Sequence, residues 1–283
     1  MRKMFLIISL IYFGSTICMA QPGAEYVVMS WNIRLDTPHD GANAWQNRRP
    51  DFCAHLRDER ADIMGFQEVL HNQLLDLQSC LEGYTYIGVG RSDGKTGGEH
   101  SPIFFREDRF GLIKSGTNWL SETPDVPGSV GWDAALERIV SWAMLNDFAS
   151  GDTILVMNTH FDHVGQRARE QSADFIVKLS AGLAKGKPVV MMGDLNATPD
   201  NHAYGRFVDA GMIDARNAAS SYWADKPTYT GFDENPDNDA LIDYILHSPH
   251  FRVIEYQVQQ VNRNGQYLSD HLPVMARMVL VKR

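Results

Sequence analysis

The sequence predicts a single α/β (α+β) domain built from two packed β-sheets, with helices over their outer faces. Three observations carry this. Strand-like runs outnumber helical ones along the chain. Several of them, residues 26–29, 63–66 and 189–192 among others, are apolar throughout rather than alternating, as strands buried on both faces are. No repeat, low-complexity tract or linker divides the 283 residues, 44% of them hydrophobic.

In chain order, residues 25–32 form the first strand and end in the polar Asn32, and residues 38–47 read as loop. Residues 49–60 place Phe52, Cys53 and Leu56 on one helical face. A second buried strand over 62–67 runs into Glu68, followed by a helix over 71–81 with Leu74, Leu75 and Leu77 inward. Residues 84–89 are a strand, and the glycine-rich residues 90–98 a mobile loop. Residues 103–106 and 110–119 suggest an antiparallel pair, residues 121–132 a Pro/Gly loop, and residues 138–148 and 153–158 a further strand pair ending near His160. The longest helix spans 166–183, and a short one lies near 201–210. Strands over 240–246, 252–261 and 274–281 close the chain, with Ser269-Asp270-His271-Leu272-Pro273 in a loop before the last.

The stretch of residues 187–200 organises the rest. Its apolar strand ends at Gly193, and Asp194 and Asn196 follow at i and i+2, a spacing that sets both side chains on one side of an extended segment. A carboxylate and a carboxamide so placed can grip a water molecule, although Gly, Asp, Asn and Pro are equally the residues of a turn.

Charge excludes some functions. The formal net charge is −9, and −11 without Arg2 and Lys3, so the chain does not favour nonspecific binding to nucleic acid or anionic membrane. Arg2 and Lys3, an apolar run over 4–13 and Cys18-Met19-Ala20 before Gln21 have the layout of a secretory leader cut after Ala20. The run is shorter than the roughly 20 residues a membrane span needs. The expectation is an exported chain, periplasmic or extracellular, with one domain over residues 21–283 and acting as a monomer. Cys53 and Cys80 then remain, as a disulfide or as two buried thiols.

Polar residues recur at the ends of apolar strands: Asn32, Glu68, His160, Asp194 with Asn196, and Asp243, with Asp270-His271 in addition. A sheet gathers strand ends at one edge. If these converge, Glu68, Asp194 and Asp270 crowd three carboxylates together, an arrangement that calls for a neutralising cation. Hard oxygen donors in so sparse a set suit Mg²⁺, with Mn²⁺ as a substitute. His160 and His163 stand at i, i+3, but no cysteine or HExxH pattern completes a zinc cage.

Trp31-Asn32, Gln67-Glu68, Asn158-Thr159-His160, Gly193-Asp194-Leu195-Asn196, Ile242-Asp243-Tyr244-Ile245-Leu246 and Ser269-Asp270-His271-Leu272-Pro273 occur in that order. In this the chain resembles the endonuclease/exonuclease/phosphatase superfamily, which includes deoxyribonuclease I, apurinic/apyrimidinic endonucleases, inositol-polyphosphate 5-phosphatases, neutral sphingomyelinases and deadenylases. It is most similar to a secreted bacterial branch, through residues 99–106, 119–124, 131–134 and 160–165 with Ala168-Arg169. The resemblance implies a four-layered α/β sandwich with the site at one edge. It implies that Glu68 binds the metal with Asn32 and Asp270 nearby, and that Asp194 positions and deprotonates the attacking water. It further implies that Asn196 orients the water or holds a phosphate oxygen, that His271 braced by Asp243 faces the phosphate as base or charge stabiliser, and that His160 donates to a phosphate oxygen. The expected reaction is metal-dependent phosphoester hydrolysis, on a phosphorylated small molecule, a nucleotide or nucleic acid. A sphingomyelinase-like phospholipase and a non-catalytic phosphate-binding module are the other readings. The loops at 90–98 and 121–132 are expected to rim the site. Trp119 and Trp132 would stack a base or sugar or simply anchor a loop, and Arg106, Arg138 and Arg169 would bind a second phosphate or form ion pairs.

Overall fold

The computed structural model describes residues 24–223, 227–233, 236–263 and 265–281; the leader expected over residues 1–20 lies outside them. The first sheet has seven strands in the order β10 (Ser221–Trp223), β12 (Phe251–Val258), β15 (Val274–Leu280), β1 (Glu25–Asn32), β2 (Ile63–Gln67), β4 (Ile103–Arg106) and β3 (Tyr84–Ile87). The second has six: β5 (Phe110–Trp119), β6 (Ile139–Asp147), β7 (Thr153–His160), β8 (Val189–Asp194), β11 (Asp243–His247) and β9 (Ile213–Asp214). A small hairpin of β13 (Asn262–Arg263) and β14 (Gln266–Tyr267) stands apart.

Val28, Ile63, Phe105, Ala143, Val156, Val190, Met192 and Ile245 fill the space between the sheets. Helices α1 (Trp45–Glu59) and α2 (His71–Cys80) cover the outer face of the first sheet through Trp45, Phe52, Leu56, Leu74 and Leu77. Helices α3 (Gln166–Ala184) and α4 (His202–Asp209) cover the second through Ala173, Ile176 and Phe207, while the one-turn α5 (Ala215–Ala218) packs on β11 and β12. The result is the expected four layers. At Gly65 the facing sheet leaves no room for a side chain, since a Cβ there would lie 2.5 Å from Met192 Sδ.

Three expectations are corrected. Residues 103–106 and 110–119 do not pair with each other: β4 lies inside the first sheet, between β2 and β3, and β5 edges the second against β6. Burial explains the separation, since Ile103, Phe104 and Phe105 are all buried whereas the middle of β5 is exposed. Residues 38–47 are not all loop, because a 3₁₀ turn covers Pro38–Asn43 and α1 starts at Trp45, whose buried ring anchors it to Asp76 (Nε1 to Oδ2, 2.8 Å). Residues 90–98 are tied by their own backbone, with Gly90, Arg91 and Ser92 N–H donating to Lys95, Glu99 and Gly97, and with the Asp93 carboxylate accepting from Lys95 and Gly97.

Cys53 on α1 and Cys80 at the end of α2 are joined as a disulfide. Among the described residues no helix is long and apolar enough to cross a membrane.

Candidate active site

Strand register assembles the site. β7 and β8 are parallel with His160 opposite Asp194, and β11 runs antiparallel to β8 with Asp243 opposite Asp194. The three side chains therefore stand in one row at the sheet edge. In the facing sheet β1 and β2 are parallel, so Asn32 lies beside Gln67 and Glu68 follows at the same edge. Beneath the site the buried Asn158 joins the sheets, donating to the Phe66 and Pro102 carbonyls (both 2.8 Å) and accepting from Gln67 Nε2 (2.7 Å).

Local backbone geometry aims the groups. Gly193 has φ +151°, and a Cβ there would fall 2.1 Å from the Thr159 carbonyl oxygen. Glu68 and Asn196 adopt left-handed conformations (φ 60° and 44°), uncommon for residues with a Cβ and concentrated at functional positions. The left-handed Asn196 also corrects the extended Asp194–Asn196 reading: the chain turns there, and Asn196 N–H donates back to Asp194 Oδ1 at 2.9 Å.

All eight residues singled out in the sequence converge. Glu68, His160, Asp194, Asn196, Asp270 and His271 line a cleft of about 450 Å³, with Asn32 and Asp243 buried behind them. His271 Nδ1 donates to Asp243 Oδ2 (2.9 Å), and its Nε2 lies 3.7 Å from Asp194 Oδ2. Asn32 Nδ2 donates to Asp194 Oδ2 (3.0 Å) and Glu68 Oε1 (3.1 Å). Its oxygen accepts from Arg34 N–H (3.1 Å), so Asn32, expected near the metal as a ligand, presents donors to the carboxylates and braces them. Asn196 Nδ2 donates to the Phe161 carbonyl and to His160 Nε2 (both 3.0 Å), which puts the His160 proton on Nδ1.

Electrostatics follow from this packing. Burial, and then the charge of Asp243, push the Asp194 carboxyl up to about 7. Burial opposes the charged form of His271, but the Asp243 and Asp194 carboxylates outweigh it and hold the imidazole well above its ordinary range. His160 is driven well below that range by burial and by the nearby Arg138 and Arg91 guanidinium groups, so it stays neutral. One base-like carboxylate thus faces one cationic imidazole across the cleft.

The donor chemistry fits a hard divalent cation. Glu68 Oε2 and Asp270 Oδ2 each lie 3.9 Å from the Arg34 guanidinium, so this corner already accommodates positive charge. Asp194, Asp243 and His271 form a second group whose ligand atoms all lie within 4.8 Å of one another. There Asp243 and His271 are already hydrogen-bonded to each other, through Oδ2 and Nδ1.

The cleft contains residues beyond the eight, of which the sequence had raised only Arg138, as a candidate for a second phosphate, and His163, beside His160. Arg34, held by Asp40 through two 3.0 Å contacts, and Tyr229, whose ring meets His271 edge-on at 5.0 Å, line one side; Glu99, Leu136, Arg138 and His163 line the other. Arg34 stands two residues past Asn32 and was within reach of the motif. Tyr229 lies in an irregular segment with no periodic signal. Neither loop 90–98 nor loop 121–132 lines the cleft. Trp119 anchors the former through Nε1 to the Arg91 carbonyl, and Trp132 packs on the second sheet's outer core. Arg106 pairs with Asp62 and Asp108, and Arg169 binds the Asp162 carbonyl, leaving Arg138 alone of the three in the cleft. A larger depression of 710 Å³ beside Arg57, Tyr84 and Arg106 gathers none of the convergent groups.

The endonuclease/exonuclease/phosphatase family model matches residues 29–271. Among solved structures, an endonuclease/exonuclease/phosphatase from Bacteroides vulgatus is 38% identical, with a TM-score of 0.88 over 91% of this chain and 99% of that one. A mannosyl-6-phosphatase from Bacteroides thetaiotaomicron is 37% identical, with a TM-score of 0.86 over 90% of this chain and 100% of that one. The human Nocturnin catalytic domain, at 22% identity and a TM-score of 0.72 over 92% and 94%, shares the fold. No curated protein sequence matches this chain.

Proposed function

Because the chain belongs to the endonuclease/exonuclease/phosphatase family, we propose that it is a divalent-metal-dependent phosphoesterase in which an activated water attacks phosphorus in line with the leaving oxygen. The observation that carries this reading is Asp194, a carboxylate gripped by Asn196 N–H and Asn32 Nδ2, standing 3.7 Å from His271 Nε2 in the lining of the cleft.

Phosphoryl transfer needs a positioned nucleophile and neutralised phosphate oxygens. Asp194 accepts the proton of the attacking water as the new P–O bond forms. The His271 imidazolium, its ring fixed by the hydrogen bond to Asp243, donates from Nε2 to a phosphate oxygen. Asn196 acts as a positioning residue, holding the Asp194 carboxylate and the His160 ring. Glu68 and Asp270 would hold Mg²⁺, or Mn²⁺ in its place, and the cation would supply Lewis acidity at a phosphate oxygen. As the bond to the leaving oxygen breaks, the departing alkoxide takes a proton from solvent water. The oxygen of the attacking water stays on phosphorus as a hydroxyl, and Asp194 returns its proton to solvent.

A small phosphomonoester is the favoured substrate class. The acidic chain, at −9, does not draw polyanionic nucleic acid, and the 37% identical mannosyl-6-phosphatase has a small-molecule substrate in its name. Nuclease, phospholipase and silent binding module remain as outcomes of the test. Export is proposed from the leader-like residues 1–20 and agrees with the Cys53–Cys80 cross-link. Action as a monomer is proposed because all eight convergent residues come from the one chain.

The test is turnover of a hexose 6-phosphate, p-nitrophenyl phosphate, bis-p-nitrophenyl phosphate, plasmid DNA, oligo(A) and sphingomyelin in Mg²⁺, Mn²⁺ and EDTA. Metal-dependent release from the monoesters, lowered about 10²- to 10⁴-fold in Asp194→Ala, supports the reading. Turnover that survives EDTA, or a fully active Asp194→Ala, overturns it.

A further inference from the structure

Beside His160 the cleft is lined by Glu99 and Arg138, backed by Arg91 and Asp162, groups that the hydrolytic chemistry does not use. Arg138 is 5% exposed and lines the cleft, yet its Nη1 has no hydrogen-bond partner and its Nε comes only to within 3.5 Å of Asp162 Oδ2. Arg138 Nη2 donates to His163 Nδ1 at 3.1 Å; a guanidinium can only donate, so His163 is neutral and carries its proton on Nε2. Glu99 accepts from Arg91 Nη1 through Oε2 (2.7 Å), and among the described residues Oε1 has no hydrogen-bond donor. Glu99 Oε2 also lies 3.9 Å from His160 Nδ1, itself buried without a partner. His160 in turn contacts Asp194 at 3.4 Å, which sets this wall next to the reacting centre.

A buried donor left unpaired costs on the order of 1–3 kcal/mol, so such groups mark places where something else completes the bonding. Charge says what kind of group that is. Arg91 and Arg138 are balanced by Glu99 and Asp162, and His163 is neutral, so the wall has no net charge to hold a second phosphate. It does offer an acceptor that no donor uses, Glu99 Oε1, an exposed donor, His163 Nε2, and the buried, unpaired Arg138 Nη1. A carboxylate oxygen and N–H donors on residues that line one cleft match hydroxyl groups, each of which donates once and accepts as well.

We propose that Glu99, Arg138 and His163 form a leaving-group subsite that binds neighbouring hydroxyls of a polyol, so that the preferred substrates are phosphate esters of sugars or sugar-like alcohols. The subsite rests on the phosphoesterase reading and deepens it. Sites built to hydrogen-bond a substrate hydroxyl discriminate strongly against analogues that lack it.

The experiment compares kcat/KM for a hexose 6-phosphate, a hexose 1,6-bisphosphate and p-nitrophenyl phosphate in the wild type, Glu99→Gln, Arg138→Lys and His163→Ala. His163 is exposed, so its variant tests the subsite even if the buried Arg138→Lys fails to fold. The expected result is a wild-type preference for the hexose 6-phosphate over p-nitrophenyl phosphate that shrinks roughly tenfold or more in each folded variant, mainly through KM. An unchanged preference ratio overturns the subsite, as does a wild type that favours the bisphosphate and loses that preference in Arg138→Lys. If the wild type hydrolyses none of the three, the phosphomonoester reading falls, and calorimetry then judges the subsite. Hexose 6-phosphate bound roughly tenfold tighter than inorganic phosphate, with the difference lost in Glu99→Gln, sustains it; equal affinities overturn it.

Discussion

The Asp243 carboxylate accepts the Nδ1 proton of His271 at 2.9 Å, both side chains buried, and this one hydrogen bond sets the direction in which the imidazole faces the cleft. With Nδ1 committed, only Nε2 is left to address a substrate, and it points to the space next to Asp194. Nothing else among the described residues donates to Asp243 Oδ2, and Oδ1 is buried without a partner, so the carboxylate serves this ring alone.

Asp243→Asn keeps the shape of that contact but removes the charge and favours the wrong tautomer of His271. Turnover is expected to fall about 10²- to 10⁴-fold with little change in KM. Steady-state kinetics on the best monoester check this, with circular dichroism confirming the fold. A variant within threefold of the wild type would remove His271 from the mechanism.

Glu68→Gln takes one hard anionic donor from the corner that Arg34 and Asp270 share. The Mg²⁺ concentration for half-maximal activity is expected to rise about tenfold or more. A titration of rate against metal measures it, and an unchanged midpoint would move the cation to the Asp194–Asp243–His271 group.

The Cys53–Cys80 bond closes a loop with a sequence separation of 27 between the helices that cover the first sheet. Loop-closure entropy puts its contribution at about 3–4 kcal/mol. Cys53→Ala with Cys80→Ala, or the reduced wild type, is expected to unfold at correspondingly lower denaturant. Coincident unfolding curves for oxidised and reduced protein would show that the bond adds nothing.

Asp162 tests acid stability. Burial raises its pKa, but N–H groups of Gly165, Ala135 and Val164 and the Arg138 charge more than offset this and hold it at about 2. An unfolded aspartate titrates at about 3.9. The folded value is the lower one, so the group stabilises the fold fully above pH ~4 and loses that contribution as pH falls toward 2. Asp162→Asn is expected to be less stable at pH 7 and to show a shallower loss of stability between pH 4 and 2. A wild-type slope in the variant would contradict the assignment.

Much of the fold was legible because burial leaves a local mark. The largely apolar runs of β1, β2 and β8 identify central strands wherever the chain carries them, and Leu74 and Leu77 mark the inward face of α2, although Leu75, expected inward with them, is exposed. The site residues were legible for a related reason: Asn32, Glu68, His160 and Asp194 interrupt or end apolar strands, where a polar group is conspicuous. What escaped were choices between partners. β4 and β5 look like a hairpin from their spacing, yet they join different sheets, because pairing depends on which distant strand offers an apolar face. The two short strands β9 and β10 held too few residues to show a period.

By itself the sequence determined which strand ends carry Asn, Asp, Glu and His, and so which eight residues were candidates for one edge; that they meet there is shown by the fold. Only the tertiary structure decided how they address one another. Asn32 emerged as a donor to two carboxylates, and His160 as an acceptor from Asn196. Glu99, Arg138 and His163, from three separate segments, became one wall. Hydrogen-bond direction and the loss of solvent around a charge belong to pairs of atoms brought together from far along the chain, and no local pattern of residues encodes them.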